Sequence, residues 1–408
     1  MKTMHLRKSH PMHNTLIPLS VPELRGNEWK YVKQCLDENW VSSAGKYVDL
    51  FEQRLAEHVG TRYAVATCNG TAALHTALII LGIGRGDEVI VPSLTFIATA
   101  NVVRYVGAAP VFIDSEEETG NIDVNQVEAF IKSECTFKNH RTLINKKTGN
   151  RVRAIIPVHL YGYPVHMDAL GKLVKRYNLK VIEDASEALG SRYHGKPVGG
   201  LGSLGCFSFN GNKIITTGGG GMLTTNDQQL ARRAKYITTQ ARDNSKQYHH
   251  SEIGYNYRLT NLQAAVGLAQ LEKLDDYVDK KRRNALIYNQ LLQGIEGIHL
   301  SKEEEGIFWN YWMYSIHIDK KQFGISKDEL ARRLESKGVQ TGNYFVPLSS
   351  LPPYRGLCNG TIKFAKKLHT QGLHLPSSVS LKKEEQIKIA TLINRYHSEK
   401  MKLKYPSK

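Results

Sequence analysis

Ser203-Leu-Gly-Cys-Phe-Ser-Phe-Asn-Gly-Asn-Lys-Ile-Ile-Thr-Thr-Gly-Gly-Gly-Gly221 holds one lysine, Lys213, and no other charge. Cys206, Phe207 and Phe209 lead into it; Ile214, Ile215 and a run of glycines lead out. The pattern predicts a lysine in a tight, partly buried turn between two strands. Burial disfavours an ammonium group, and a neutral amine is what Schiff-base chemistry requires. A structural lysine whose head reaches water would show the same stretch.

Around this turn the chain alternates strands and helices. Glu23 to Glu57 predicts two short helices about the turn at Asn39 to Gly45, closed by Gly60. Strands are expected at Tyr63–Thr67, Glu88–Pro92, Pro110–Asp114, Ala154–Val158 and Leu179–Glu183. Helices are expected at Leu74–Leu81, Thr95–Tyr105 and Met167–Tyr177. This is the rhythm of a mostly parallel sheet covered by helices, an α/β fold. The polar, basic segment Cys135 to Asn150 reads as a surface insertion.

One long amphipathic helix is expected from Asn261 to Leu292. Beyond it, Tyr311 to Ile318 alternates like an antiparallel strand, and Lys327–Lys337 and Lys382–His397 read as helices. The expected division is a large domain with an N-terminal arm, residues 1–275, and a smaller C-terminal α+β domain, residues 276–408.

The 408 residues are 41% hydrophobic and 23% charged, as in a soluble globular chain, and no apolar run is long enough to span a membrane. Met1 to Pro18 is basic without an apolar segment, which argues against a secretory signal and leaves a transit peptide open. Cys35, Cys68, Cys135, Cys206 and Cys358 form no paired motif, as expected of a reducing cytoplasm. No histidine spacing suggests a metal; His249-His250 reads as surface loop. The net charge of +17 invites nucleic acid. The basic residues lie among acids, however, and no aromatic residues interleave with them as in an RNA-binding module. A solvated surface accounts for the charge, with attraction of a small anionic substrate second.

Gly200-Leu-Gly-Ser-Leu-Gly205 matches a dinucleotide fingerprint but opens no helix and has no acidic partner downstream. Asn69-Gly-Thr-Ala-Ala73 stands where a strand hands over to a helix, a place that binds phosphate or is merely capped. Asp184 ends an apolar strand, where a carboxylate can hold a ring nitrogen protonated or cap the next helix or turn. Phosphate cradle, strand-end aspartate and lone lysine together make the set a pyridoxal phosphate enzyme needs.

With these residues the sequence resembles the DegT/DnrJ/EryC1/StrS sugar aminotransferases from Pro22 to about Tyr354. The motifs include Asn69-Gly-Thr-Ala-Ala-Leu74, Pro157-Val-His-Leu-Tyr-Gly162, Glu183-Asp-Ala-Ser-Glu-Ala-Leu-Gly190, Phe207-Ser-Phe-Asn-Gly-Asn-Lys213 and Gly254-Tyr-Asn-Tyr-Arg-Leu-Thr260. The resemblance implies a fold type I aminotransferase with pyridoxal 5′-phosphate as cofactor. It implies that Lys213 bonds the cofactor and that Gly70, Thr71, Ala72 and Ser208 hold its phosphate. Phe96 would stack on the ring, Asp184 would meet the ring nitrogen, and Glu187 would lie near the ring hydroxyl. Asn256 and Arg258 would reach the phosphate in a neighbouring subunit, which implies a homodimer with shared sites. His159 and Tyr344 are expected substrate contacts.

Two positions depart from the family pattern: Gly219 stands where glutamate is frequent, and Val346-Pro-Leu-Ser-Ser350 has serine where histidine is frequent. The implied reaction moves an amino group from glutamate to the keto carbon of a nucleotide-linked sugar. The glycine-rich signature is most similar to the legionaminic acid and bacillosamine branch, so a UDP-linked 4-keto-6-deoxy-N-acetylhexosamine aminated at C4 is expected. Perosamine synthases acting on a GDP sugar are the nearest rivals, followed by 3-keto-sugar aminotransferases. A pyridoxal sugar dehydratase and a non-catalytic module are the remaining readings; the lysine itself argues against the dehydratases that carry histidine there.

Overall fold

The computed structural model describes residues 16–139, 142–243, 248–357 and 360–404. The N-terminal stretch through residue 15 and Cys358 lie outside the described residues.

The main sheet takes strands β1 (Tyr63–Thr67), β2 (Asp87–Pro92), β3 (Ala109–Ile113), β4 (Cys135–Lys138), β5 (Thr142–Asn145), β6 (Arg151–Ile155) and β7 (Lys180–Asp184). Two short strands follow, β8 (Arg192–Tyr193) and β9 (Lys196–Pro197), and then β10 (Leu204–Ser208) and β11 (Gly221–Thr225). Its spatial order is β1-β11-β10-β7-β6-β2-β3, with the β4–β5 hairpin attached to β6. From β10 to β3 the pairs are parallel, whereas β11 runs antiparallel to both β1 and β10.

Strand β2 is buried along its whole length. Val89 and Val91 pack into one apolar cluster and Ile90 into the other, so the two-residue period feeds both faces of the sheet. Helices α1 (Glu28–Asp37), α2 (Lys46–Val59), α3 (Gly70–Ile80), α4 (Ala98–Tyr105), α5 (Val124–Glu134), α6 (Met167–Tyr177) and α7 (Gln228–Thr238) supply the covering layers. Gly60 closes α2 in the left-handed conformation, as expected of a C-terminal glycine. The expected insertion is partly integrated. Its hairpin buries Leu143, and Asn145 and Thr148 donate to the buried carboxylate of Glu88 at 2.8 and 2.6 Å.

The single long helix expected after Asn261 is two, α8 (Asn261–Leu271) and α9 (Leu274–Leu292). The chain bends at Lys273, where φ is −109° and ψ is 0°. Just before the bend, the Glu272 carboxylate accepts from Asn27 and Tyr31 of the α1 region, both at 2.7 Å.

A second sheet is built from β12 (Ile298–Leu300), β14 (Tyr314–Ile318), β15 (Gly342–Asn343) and β16 (Gly372–Leu375), in the order β12-β14-β16-β15. Strand β13 (Ile307–Phe308) pairs instead with β8. The remaining helices are α10 (Lys320–Phe323), α11 (Lys327–Glu335), α12 (Phe364–Gln371) and α13 (Lys383–Lys404). The described start of the N-terminal arm joins this later part rather than the large sheet. Ile17 N–H donates to Gly338 O at 2.8 Å, and Ser377 N–H donates to Leu19 O at 2.9 Å. The two parts also meet where the Asp114 carboxylate, just beyond β3, accepts the N–H groups of Lys363, Phe364 and Ala365 at the start of α12.

No helix among the described residues is long and apolar enough to cross a membrane. Cys35, Cys68, Cys135 and Cys206 are free thiols. Among the described residues, no group of three potential ligands could hold a metal ion.

Candidate active site

A cavity of about 460 Å³ opens at the carboxyl ends of β7 and β10, beside the first turn of α3. Open parallel sheets place ligands at this end. A larger surface groove of about 1120 Å³ lies along α9 and β12, but it holds neither Lys213 nor Asp184.

Lys213 lies in the turn between β10 and β11, as its sequence predicts, with its side chain 13% exposed. Its Nζ stands 3.3 Å from Glu187 Oε1 and 4.0 Å from the centroid of the Trp312 indole. The other Glu187 oxygen accepts the backbone N–H of Tyr161 at 2.7 Å. Burial pushes the Glu187 carboxyl above its usual range, while Lys213 and the Tyr161 N–H pull it back. Tyr161 has φ 51°, a left-handed conformation uncommon outside glycine. It aims its N–H at Glu187, and its hydroxyl accepts the N–H of Phe345 at 2.9 Å. Burial pushes the Tyr161 phenol well above its ordinary value, so it stays protonated.

Asp184 ends β7 on the same cavity. One carboxylate oxygen accepts the Thr99 hydroxyl at 2.8 Å and the other accepts the Ser186 N–H at 3.2 Å. Both donors fix the carboxylate on the cavity wall, where it would face a protonated ring nitrogen.

At the third corner Asn69 caps α3, its side chain accepting from Ala72 N–H at 2.8 Å. That leaves the N–H groups of Gly70 and Thr71 at the first turn, where a helix has no internal acceptors. A Cβ on Gly70 would come within 2.8 Å of Ser208 Cβ and 3.3 Å of Ser186 Oγ, so the missing side chain is what keeps the cradle open. Gly221 is needed for a related reason: a Cβ there would meet the Asn69 backbone at 2.4 Å, where β11 crosses the start of α3. Two N–H groups, two hydroxyls and a helix N-terminus suit a phosphate. With a lysine and an aspartate on the same cavity, the residues present fit pyridoxal phosphate.

Gly70, Thr71, Phe96, Asp184, Glu187, Ser208 and Lys213 therefore converge. Phe96 is 57% exposed, its ring 5.9 Å from Phe345 across the cavity mouth. Ala72 is corrected, because its N–H is taken by the Asn69 cap and it does not line the cavity. His159 is also corrected. Its ring is fully buried, with Nε2 on Glu183 at 3.0 Å and Nδ1 accepting Val165 N–H at 3.0 Å, so both nitrogens are used inside the fold. Tyr344 lies one layer behind the wall, its hydroxyl 2.8 Å from His317 Nε2 and its ring stacked on His374. His374 itself lines the cavity, with its pKa pushed down to about 3 by burial. Asn256 and Arg258 are exposed and do not line this chain's cavity. The sequence reading missed Thr99, Ser186, Tyr161, Trp312, Phe345 and His374. Of these, Tyr161 and Ser186 lay in motifs already quoted.

This sheet with this constellation of lysine, aspartate and helix terminus defines a pyridoxal phosphate-dependent aminotransferase of fold type I. Residues 22–394 match the model of the DegT/DnrJ/EryC1/StrS aminotransferase family, and the chain belongs to that family. It is 42% identical over 384 residues to the GDP-perosamine synthase of Escherichia coli O157:H7, covering 94% of this chain and 99% of that protein. It is 39% identical over 367 residues to the GDP-perosamine synthase of Caulobacter vibrioides, covering 90% and 94%. Among solved structures, DesI in the presence of its TDP-sugar product superposes with a TM-score of 0.85 at 30% identity, covering 96% of this chain and 95% of that one.

Proposed function

We propose that this sugar aminotransferase aminates the C4 ketone of a nucleotide-linked 4-keto-6-deoxy sugar, with glutamate as donor and sites shared between two copies of the chain. The observation that carries the reading is the presence of Lys213 and Asp184 on one cavity with the open first turn of α3. Bound pyridoxal phosphate supplies an aldehyde that takes up an amino group and a ring that holds the electron pair released at the reacting carbon. The chain supplies the rest. Gly70 and Thr71 N–H and the Ser208 hydroxyl bind the phosphate. Asp184, oriented by Thr99 and Ser186, holds the proton on the ring nitrogen. Lys213 Nζ carries a proton between the donor carbon and the cofactor carbon. Glu187 lies beside Lys213 and would meet the ring hydroxyl of the bound cofactor.

A GDP-linked 4-keto-6-deoxymannose is the first candidate acceptor. Two relatives named for GDP-perosamine span nearly the whole chain, which outweighs the glycine-run signature that pointed to a UDP sugar. Incubation with glutamate and a panel of GDP, UDP and dTDP keto sugars, read by product mass, tests the reading. Turnover of the GDP sugar is expected to exceed the others by about tenfold or more, roughly 1.4 kcal/mol of transition-state preference. The reverse ratio restores the UDP-N-acetyl sugar, and a product without added nitrogen rejects transamination.

A further inference from the structure

Trp312 sits between β13 and β14, nearly a hundred residues from the lysine turn, and is buried. Its indole N–H donates to the carbonyl of Asn212 at 2.7 Å, directly before Lys213. Its ring face lies under Lys213 Nζ. Its backbone N–H donates to Asn310 Oδ1 at 2.8 Å, and Asn310 Nδ2 donates to the Glu187 and Leu189 carbonyls at 3.0 and 2.9 Å. One buried asparagine thus ties the two groups that flank the lysine head, an indole on one side and a carboxylate on the other. The electron-rich indole face and the carboxylate both attract a cation, and among aromatic rings indole does so best.

We propose that Trp312 holds the Lys213 head group whenever Lys213 is not bonded to the cofactor, and so favours the amino form of the cofactor over the lysine-bonded form. This rests on the reading of Lys213 as the cofactor-bonding lysine. A lysine released by the donor amine leaves as a free amine, and whenever it holds a proton the Trp312 face with Glu187 offsets the loss of water around its head group. Removing the face destabilises the released lysine and shifts the balance back toward the lysine-bonded form.

The test uses holoenzyme equilibrated at fixed pH with mixtures of glutamate and 2-oxoglutarate, with absorbance reading the fraction of cofactor in the amino form. Trp312→Leu is expected to need a glutamate-to-oxoglutarate ratio about three- to tenfold higher for half conversion. Trp312→Phe keeps a poorer ring face and is expected to shift in the same direction by less. An equilibrium ratio does not depend on rate, so a merely slower enzyme would leave it in place. An unchanged ratio in both variants overturns the inference; should Trp312→Leu fail to fold, an unchanged Trp312→Phe overturns it alone. Borohydride reduction and peptide mapping of the same wild-type samples separate the two levels. A label on another lysine, or no conversion by glutamate, overturns the reading beneath the inference, whereas a label on Lys213 with unmoved ratios overturns only the role of Trp312.

Discussion

The Thr99 hydroxyl donates to Asp184 across 2.8 Å, joining the first turn of α4 to the end of β7 inside a buried wall of the cavity. A hydrogen bond to a charged group contributes about 1.5–3 kcal/mol. Thr99→Val keeps the shape and removes the donor. It is expected to lower kcat about tenfold with the fold intact, whereas Asp184→Asn, which cannot balance a ring charge, should cost about a hundredfold or more. Steady-state kinetics on both variants checks the order; equal losses would mean that Thr99 does more than orient Asp184.

Lys213→Ala is expected to abolish transamination while the protein still binds cofactor through the α3 terminus and Asp184. Borohydride should fix the cofactor to Lys213 in the wild type and to nothing in the variant. Normal turnover by the variant would remove Lys213 from the chemistry.

Gly70→Ala places a methyl group 2.8 Å from Ser208 Cβ, in the space left for an anion. Overpacking of this kind costs about 1–3 kcal/mol. The expected result is cofactor affinity weakened at least about fivefold, read by titrating the apoprotein with pyridoxal phosphate, together with a lowered melting temperature of the apoprotein from the same clash; unchanged affinity would remove Gly70 from the phosphate site.

His374 makes part of the acid sensitivity of the fold predictable. The folded chain holds its imidazole neutral down to about pH 3, whereas the unfolded chain protonates it below about 6.5. The unfolded state therefore binds the extra proton in that window, and the stability His374 contributes above pH 6.5 is lost as pH falls toward 3. Between pH 6.5 and 5 the loss is about 2 kcal/mol. His374→Asn, which cannot titrate, should gain that much relative to the wild type over the interval in chemical denaturation. Parallel stability curves for the two proteins would refute it.

Asn256 and Arg258 are exposed on a segment that does not line this chain's own cavity. Mixing a Lys213→Ala protomer with an Asn256→Ala protomer should then restore some sites in the heterodimer, as turnover above that of either variant alone. No restoration after confirmed subunit exchange would place each site within one chain.

The parts of the site that were legible in the sequence are those whose chemistry is local. Lys213 stands alone in a glycine-rich turn, Asp184 ends an apolar run, and Gly70 falls where a strand becomes a helix. Thr99 and Trp312 carry no such mark. Thr99 reads as one more helix residue, and it takes the pairing of β6 with β7 and of β6 with β2 to bring it to Asp184. Trp312 lies in the bend before β14 of the second sheet and meets Asn212 only in the folded chain. His159 failed in the opposite sense: a polar residue in a family motif was read as a contact when it serves Glu183. The break at Lys273 went unseen because neither glycine nor proline marks it, and the α1 contacts of Glu272 come from residues 245 and 241 positions away.

Strand β1 joins the large sheet only through β11, its register running from Tyr63 against Thr225 to Thr67 against Gly221. The first turn of α3 comes directly after β1. During synthesis, therefore, α3 can pack on β10 and β7 through Leu74 and Leu78, but the half of the cavity that would hold the phosphate lacks the strand that crosses its first turn until residue 225 has left the ribosome. Domains form as units as the chain emerges. Nascent chains arrested before Gly221 can carry β2, β3, β6, β7 and β10 but lack the strand that Gly221 lays against Asn69, so cofactor binding is expected to strengthen in one step as β11 emerges rather than in proportion to chain length.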